Sequence, residues 1–303
     1  MNSDSCAVGI DIGGTKIAVG LVSGEGKLLT QETFPTDSQA GIPHACDRVD
    51  HAIRRLSDKA QMRLGGLQGI GVGCPGPMNR ASGEILNPHT LPGWESMSLT
   101  QCLEDLTQLP VQLENDADAA LLGECFVGAG QGAAHVAMLT LGTGVGGAAI
   151  TEGRILRGMN DEHPEIGLMP ILPDDPLDYS GVPGSLESLA SGTGIARAGA
   201  AYGLASSHEV FEAAHHGHDA AQRIVQRAYR ATALGCLALA HILCPERIIL
   251  GGGVMDSEFS GFATAARQSL KQATLLPAEP IQIVKAQLGN DAGLVGAASL
   301  ILR

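Results

Sequence analysis

Asp116 follows Asn115 where a short apolar run, Val111-Gln112-Leu113, gives way to an alanine-rich stretch over 117–127. A strand that delivers Glu114-Asn115-Asp116 to the start of a helix puts a carboxylate and an amide together at a helix N-terminus. There the carboxylate can take a proton from a hydroxyl while the amide orients it. A plain N-cap role for Asp116 stays open from the local sequence. Two glycine-rich turns could supply the rest of the chemistry. Asp11-Ile12-Gly13-Gly14-Thr15-Lys16 lies between apolar runs at 6–10 and 17–22, and Leu141-Gly142-Thr143-Gly144-Val145-Gly146-Gly147 between runs at 136–141 and 148–150. Strand, glycine turn, strand reads as a hairpin, and glycines clear side chains so that backbone N–H groups can face phosphate oxygens. Asp11, at the exit of the first strand, is placed to hold Mg²⁺ directly or through water; the alternative is a turn residue capping Gly13 and Gly14. Amide donors, a metal ligand and a base are the parts that phosphoryl transfer requires.

The elements around these residues narrow the fold. Gly142, Gly144 and Gly147 satisfy GxGxxG by letter, but a strand rather than a helix follows them, so a dinucleotide-binding reading fails. No Gly-Lys-Ser or Gly-Lys-Thr stands at Walker A spacing. The unit occurs twice, which implies a duplicated, two-lobed α/β fold with a nucleotide cleft. The pattern predicts a three-stranded meander over 6–34 and a helix over 43–62, with Val49, Ile53 and Leu56 on one face. A strand at 69–73 then enters the tight loop Cys74-Pro75-Gly76-Pro77, where Gly76 is a candidate substrate contact. A helix over 99–109 follows. Farther on come a long loop over 161–183, helices over 186–202 and 219–243, a strand at 248–250 entering Gly251-Gly252-Gly253, a strand at 281–284 and a closing apolar helix over 291–302. The lobes are expected at 1–118 and 119–290, with 291–303 packing back on the first.

At 303 residues the chain can form two lobes. Its 41 glycines and 3 % aromatic content call for a core of Ala, Leu, Ile and Val with close backbone packing. Nineteen basic against 32 acidic residues give a net charge of -13, which opposes nucleic acid as a partner. Seven cysteines without CxxC spacing suit a reducing interior, and no apolar run approaches the ~20 residues of a membrane span or an export signal, so a cytoplasmic protein is expected.

Six motifs taken in order carry a resemblance: Asp-Ile-Gly-Gly-Thr-Lys at 11–16, Gly-Val-Gly-Cys-Pro-Gly at 71–76, Leu-Pro-Gly-Trp-Glu at 91–95, Glu-Asn-Asp-Ala at 114–117, Leu-Gly-Thr-Gly-Val-Gly-Gly at 141–147 and Leu-Glu-Ser-Leu-Ala-Ser-Gly at 186–192. Together they resemble the ROK family of bacterial sugar kinases and sugar-responsive repressors. The resemblance implies a duplicated actin-like ATPase (ribonuclease H-like) fold and Asp116 as catalytic base. It implies sugar hydroxyls held by Asn115, Asp116, Glu165 and Glu187. It also implies ATP phosphates at the turns of Gly13, Gly14, Thr15 and Lys16 and of Gly142, Thr143 and Gly144, the nucleoside near Gly251, Gly252 and Gly253, and a homodimer.

One departure stands out. Many family members bind zinc through a histidine and three cysteines, and here those positions are Leu168, Asp178, Ser180 and Ser185. A leucine, two hydroxyls and one carboxylate are a poor zinc set, so a metal-free loop is expected. The family histidine also touches the sugar, so Leu168 shifts selectivity around C1 and C2, and Pro164 stiffens the approach to Glu165.

Weaker signals get ordinary readings. His215, His216 and His218 cluster ahead of a helix with Asp219 at its N-cap and read as a solvated loop; Cys74 reads as packing; Trp94 reads either as core or as a wall of a sugar pocket. The leading function is an ATP-dependent hexose kinase acting on the 6-hydroxyl of glucose. An N-acetylmannosamine or N-acetylglucosamine kinase is the runner-up, suggested by Asn87-Pro88-His89-Thr90-Leu91, and polyphosphate is an alternative donor. A non-catalytic sugar sensor is the reading from another class; a repressor would need a DNA-binding module, and ten residues precede Asp11.

Overall fold

The computed structural model describes residues 5–95, 97–172, 181–273, 275 and 280–303. The chain forms two compact units, one of Met1–Gln131, Arg157–His163 and Asn290–Arg303, the other of Gly132–Leu156 and Pro164–Gly289.

In the first unit, β1 (Cys6–Ile12), β2 (Lys16–Ser23) and β3 (Leu28–Pro35) form the meander. They precede helix α1 (Gly41–Lys59), whose buried Ile42, Ala45, Val49, Ile53 and Leu56 recur at helical spacing. Then come β4 (Leu67–Cys74), the small ribbon β5 (Met78–Asn79) and β6 (Glu84–Ile85), α2 (Leu99–Thr107), β7 (Val111–Asn115) and α3 (Asp116–Val127). The second unit contains β8 (Val136–Leu141), β9 (Val145–Thr151), β10 (Arg154–Ile155), α4 (Leu186–Ala190), α5 (Gly192–Ala200), α6 (Ser207–His215), α7 (Asp219–Leu243), β11 (Arg247–Gly251), α8 (Val254–Gln272) and β12 (Gln282–Lys285). Helix α9 (Ala292–Leu302) closes the chain.

The two main sheets repeat one plan. Their orders are β3-β2-β1-β4-β7 and β10-β9-β8-β11-β12, each an antiparallel meander extended by two parallel strands. This is the duplicated actin-like ATPase, ribonuclease H-like topology. Each unit buries its own apolar core, one around Ile10, Val72 and Ile53 and one around Leu139, Leu250 and Phe262.

Several expectations need correction. The first unit extends to Gln131 rather than 118, because α3 packs against α9. At Gly296 of α9 a Cβ would lie 1.6 Å from the Ala119 carbonyl oxygen, and at Gly71 of β4 it would lie 1.8 Å from that of Ala297, so α9 seats backbone to backbone on both. The first unit also recruits residues 157–163. The expected helix over 186–202 is two helices: Ser191 is extended (ψ 158°) and its hydroxyl accepts the Gly194 N–H to start α5. His215 lies in α6 rather than in a loop, and His218, not Asp219, caps α7 by accepting the Ala221 N–H at 3.3 Å. Helix α8 was not foreseen.

Candidate functional site

The first unit gathers its candidates at the C-terminal ends of β1, β4 and β7, where open α/β sheets bind ligands. Asn115 is the N-cap of α3: its side-chain oxygen accepts the Ala117 and Asp118 N–H groups at 2.9 and 3.3 Å. That fixes the amide orientation and leaves the NH₂ end as a donor. A Cβ built on Gly76 would lie 3.5 Å from this nitrogen, so the loop after β4 reaches the same spot. Gly76 is held in turn by Asn87, whose Nδ2 donates to its carbonyl at 2.5 Å. Asp116 occupies the first helical position, and its Oδ1 accepts the Ala117 N–H at 2.9 Å. Burial raises its pKa, while the Ala117 N–H and the charge of His163 oppose that shift. The helix N-terminus likewise favours the ionised carboxylate.

Asp11 is paired within β1 opposite Ala18 and Gly73 and is half-buried. Its pKa is pushed up to about 6, first by burial and then by repulsion from Asp116, with Lys16 pulling the other way. Gly293 makes room for it, since a Cβ there would lie 2.7 Å from the carboxylate carbon. Beside it, Gly13 N–H donates to the Lys16 carbonyl at 2.9 Å, and the Thr36 hydroxyl donates to the Gly13 carbonyl at 2.6 Å. Gly14, Thr15 and Lys16 are exposed.

In the second unit Gly142, Thr143 and Gly144 turn between β8 and β9, with Gly142 N–H donating to the Gly144 carbonyl at 2.9 Å. The turn is tied to the start of α5 by Gly192 N–H to Gly142 O at 2.7 Å and Thr193 N–H to Thr143 O at 3.3 Å. Glu187 sits on the same turn, its Oε2 accepting the Val145 N–H at 2.9 Å. A cavity of ≈ 220 Å³ opens here, lined by Thr143, Gly144, Glu187, Ser191, Thr193 and Arg197 among others. Gly251, Gly252 and Gly253 join β11 to α8 beside the end of β8, and a Cβ on Gly252 (φ 87°) would lie 2.4 Å from the Leu141 carbonyl oxygen. Glu165 is exposed and precedes a single 3₁₀ turn over Ile166–Leu168.

The structure therefore brings Asp11, Gly13, Gly14, Thr15, Lys16, Gly76, Asn115 and Asp116 into one unit and Gly142, Thr143, Gly144, Glu165, Glu187, Gly251, Gly252 and Gly253 into the other. Of the four positions where zinc-binding relatives carry ligands, Asp178 and Ser180 lie outside the described residues. The Ser185 hydroxyl is committed as N-cap of α4, accepting the Ser188 N–H at 3.0 Å. Among the described residues no three His, Cys, Asp or Glu side chains are grouped to hold a metal. Cys74 is fully buried and its thiol is pushed well up by burial, so it packs. Trp94 is also fully buried and donates to the Ser38 carbonyl at 3.0 Å, a core residue.

Sequence reasoning missed a ring of charge around the α3 corner. Arg157 donates to Glu114 at 2.5 Å and to Asp118; His163 Nδ1 lies 2.9 Å from Asp118 Oδ2; Arg80 donates to Glu114 at 2.8 Å and to Asp161. The carboxylates on either side of Asp116 were the available signal.

Residues 7–303 match the family model described as "ROK family". A glucokinase from Thermotoga maritima is 34% identical over 310 residues, covering 97% of this chain and 96% of that protein. The crystal structure of a ROK hexokinase from Thermus thermophilus has a TM-score of 0.85 and 34% identity over 97% of each chain. A ROK family glucokinase from Streptomyces griseus, solved in complex with glucose and AMPPNP, has a TM-score of 0.79 and 30% identity, covering 98% of this chain and 99% of that one.

Proposed function

The chain belongs to the ROK family, and we propose that it is a sugar kinase transferring the γ-phosphoryl group of ATP to the 6-hydroxyl of glucose. The observation that carries the reading is the α3 corner. Asn115 presents an amide donor and Asp116 a carboxylate at one helix N-terminus, with Gly76 beside them.

Asn115 and Asp116 bind and orient the sugar hydroxyl. As its oxygen bonds to the γ-phosphorus, Asp116 accepts the proton, the bond from that phosphorus to the β,γ-bridging oxygen breaks and ADP leaves, and the N–H groups of the two glycine turns hold the phosphate oxygens as charge develops on them. Glu165 and Glu187 serve as further sugar contacts, and Gly251, Gly252 and Gly253 leave the backbone bare for the nucleoside. The oxygen donors of Asp11 and Asp116, mutually repelling, suit a hard divalent cation such as Mg²⁺, which Asp11 would hold. Bound Mg²⁺ would neutralise phosphate charge. With Leu168 and the capping Ser185 at two of the zinc positions, no structural zinc is proposed, and one tightly held zinc per chain by elemental analysis would overturn that part. A homodimer is proposed on family grounds.

The test is ADP release with ATP and Mg²⁺ across glucose, mannose, fructose, N-acetylmannosamine and N-acetylglucosamine, repeated with polyphosphate as donor. Highest kcat/KM with glucose and ATP is expected. Preference for an acetylhexosamine would move the assignment to the runner-up, and tight sugar binding without turnover would favour a sensor.

A further inference from the structure

Residues 157–163 lie in the chain between stretches of the second unit but belong to the first. Two side chains from this strap end on Asp118, two residues after Asp116. Arg157 reaches Asp118 with one guanidinium nitrogen and Glu114 with another, the latter at 2.5 Å. His163 Nδ1 lies 2.9 Å from Asp118 Oδ2, the oxygen that also accepts from Arg157, so the imidazole N–H is the donor. Glu114 is the penultimate residue of β7 and Asp118 lies in the first turn of α3. One guanidinium therefore staples the strand to the helix across a corner whose apex is Asn115-Asp116.

The carboxylates involved are 3% and 1% exposed, so the cations that pair them are required by burial. Arg80 and Asp161 extend the ring: three carboxylates, Glu114, Asp118 and Asp161, face Arg80, Arg157 and His163. The transfer step above uses none of these six groups. A corner braced this way fixes the rotation of the first turn of α3 and with it the direction of the Asp116 carboxylate, on which proton transfer depends at sub-ångström tolerance.

We propose that Arg157 and His163 are positioning residues for Asp116, bracing the β7–α3 corner through Glu114 and Asp118. The proposal rests on the reading of Asp116 as base. The strap continues directly into Pro164 and Glu165, so the segment that braces the base also leads into a proposed sugar contact.

The test uses the full chain with glucose, ATP and Mg²⁺. His163→Ala is expected to lower kcat about 10- to 100-fold while the glucose Kd, measured by calorimetry, and the ATP KM stay within about threefold. His163→Asn, whose amide N–H can replace Nδ1–H toward Asp118, should recover kcat to within about fivefold. Because Arg157→Ala strands two buried carboxylates and can prevent folding, Arg157→Lys serves instead, with the same split between kcat and KM expected. Wild-type kcat in folded His163→Ala would overturn the brace. So would a loss shared equally by kcat, glucose Kd and Tm, or a His163→Asn variant no better than His163→Ala. Asp116→Asn is run alongside: wild-type turnover there removes the base assignment, whereas an inactive Asp116→Asn with a fully active His163→Ala removes the brace alone.

Discussion

The two glycine turns begin from the same plan, a β-hairpin at the head of a five-stranded sheet, and end up doing different physical work. The first is open and charged. Gly14, Thr15 and Lys16 are exposed, Asp11 stands beside them with a carboxyl pushed up to about 6, and the turn is tied down by the Thr36 hydroxyl. The second is braced by backbone. Two N–H groups at the start of α5 donate to its carbonyls, Glu187 accepts from Val145, and Gly252 presses against the end of β8. What packs behind each hairpin makes the difference: α9 with Gly293 leaves space for a carboxylate in the first unit, whereas the serine-capped α4 and α5 close on the turn in the second. A repeated hairpin thus ends exposed beside a carboxylate in one unit and braced by backbone hydrogen bonds in the other.

Removing the charge from the first turn should have the largest effect. Asp11→Asn is expected to lower kcat at saturating Mg²⁺ about 100-fold or more, because the carboxylate proposed to hold the metal becomes an amide. Equal turnover in Asp11→Asn would erase the asymmetry. Next comes rigidity in the second turn. Gly252→Ala places a Cβ 2.4 Å from the Leu141 carbonyl oxygen at φ 87° and should cost about 2–3 kcal/mol, read by urea unfolding.

The titration of Asp11 sharpens the same contrast. Its folded pKa, about 6, lies above the ordinary 3.8, so the fold favours the protonated form. That contribution to stability is fully present below 3.8 and is lost as pH rises to about 6. A divalent cation prefers the ionised form, so Mg²⁺ should raise Tm little at the acid end of this window and more above it. Asp11→Asn should flatten the dependence, and an unchanged Mg²⁺ profile in that variant would remove Asp11 from the metal site. The smallest effect is Thr36→Val, which loses the hydroxyl bond to Gly13 and should cost about 1 kcal/mol in a melt.

Much of the fold was legible because its signals are local. Alternating apolar runs with glycine turns gave both hairpins, and the Asn-Asp pair at the end of β7 marked the start of α3, with Asn115 rather than Asp116 making the cap. Local periodicity cannot place a break that a hydroxyl makes, so it merges α4 and α5, which Ser191 separates by accepting the Gly194 N–H. Helix α6 was not foreseen, although its start carries a Ser-x-x-Glu signal: Ser206 accepts from Glu209 N–H while the Glu209 carboxylate accepts from Ala205 N–H. Helix α8 shows the same kind of neglected signal in buried Met255, Phe262 and Ala266, spaced on one face. Of the charge ring only the carboxylates Glu114 and Asp118 beside Asp116 were visible in advance; their cationic partners were not. Arg157 and His163 reach Asp118 across 39 and 45 residues, and no spacing rule predicts that a strap flanked by second-unit sequence folds onto the first.

The most direct test of the central claim is pre-steady-state turnover of Asp116→Asn with saturating glucose, ATP and Mg²⁺, paired with its glucose affinity by calorimetry. Loss of about 10³-fold or more in the transfer rate with glucose binding retained is the predicted result, since an amide cannot take the hydroxyl proton. Transfer at the wild-type rate would contradict the assignment of Asp116 as the base.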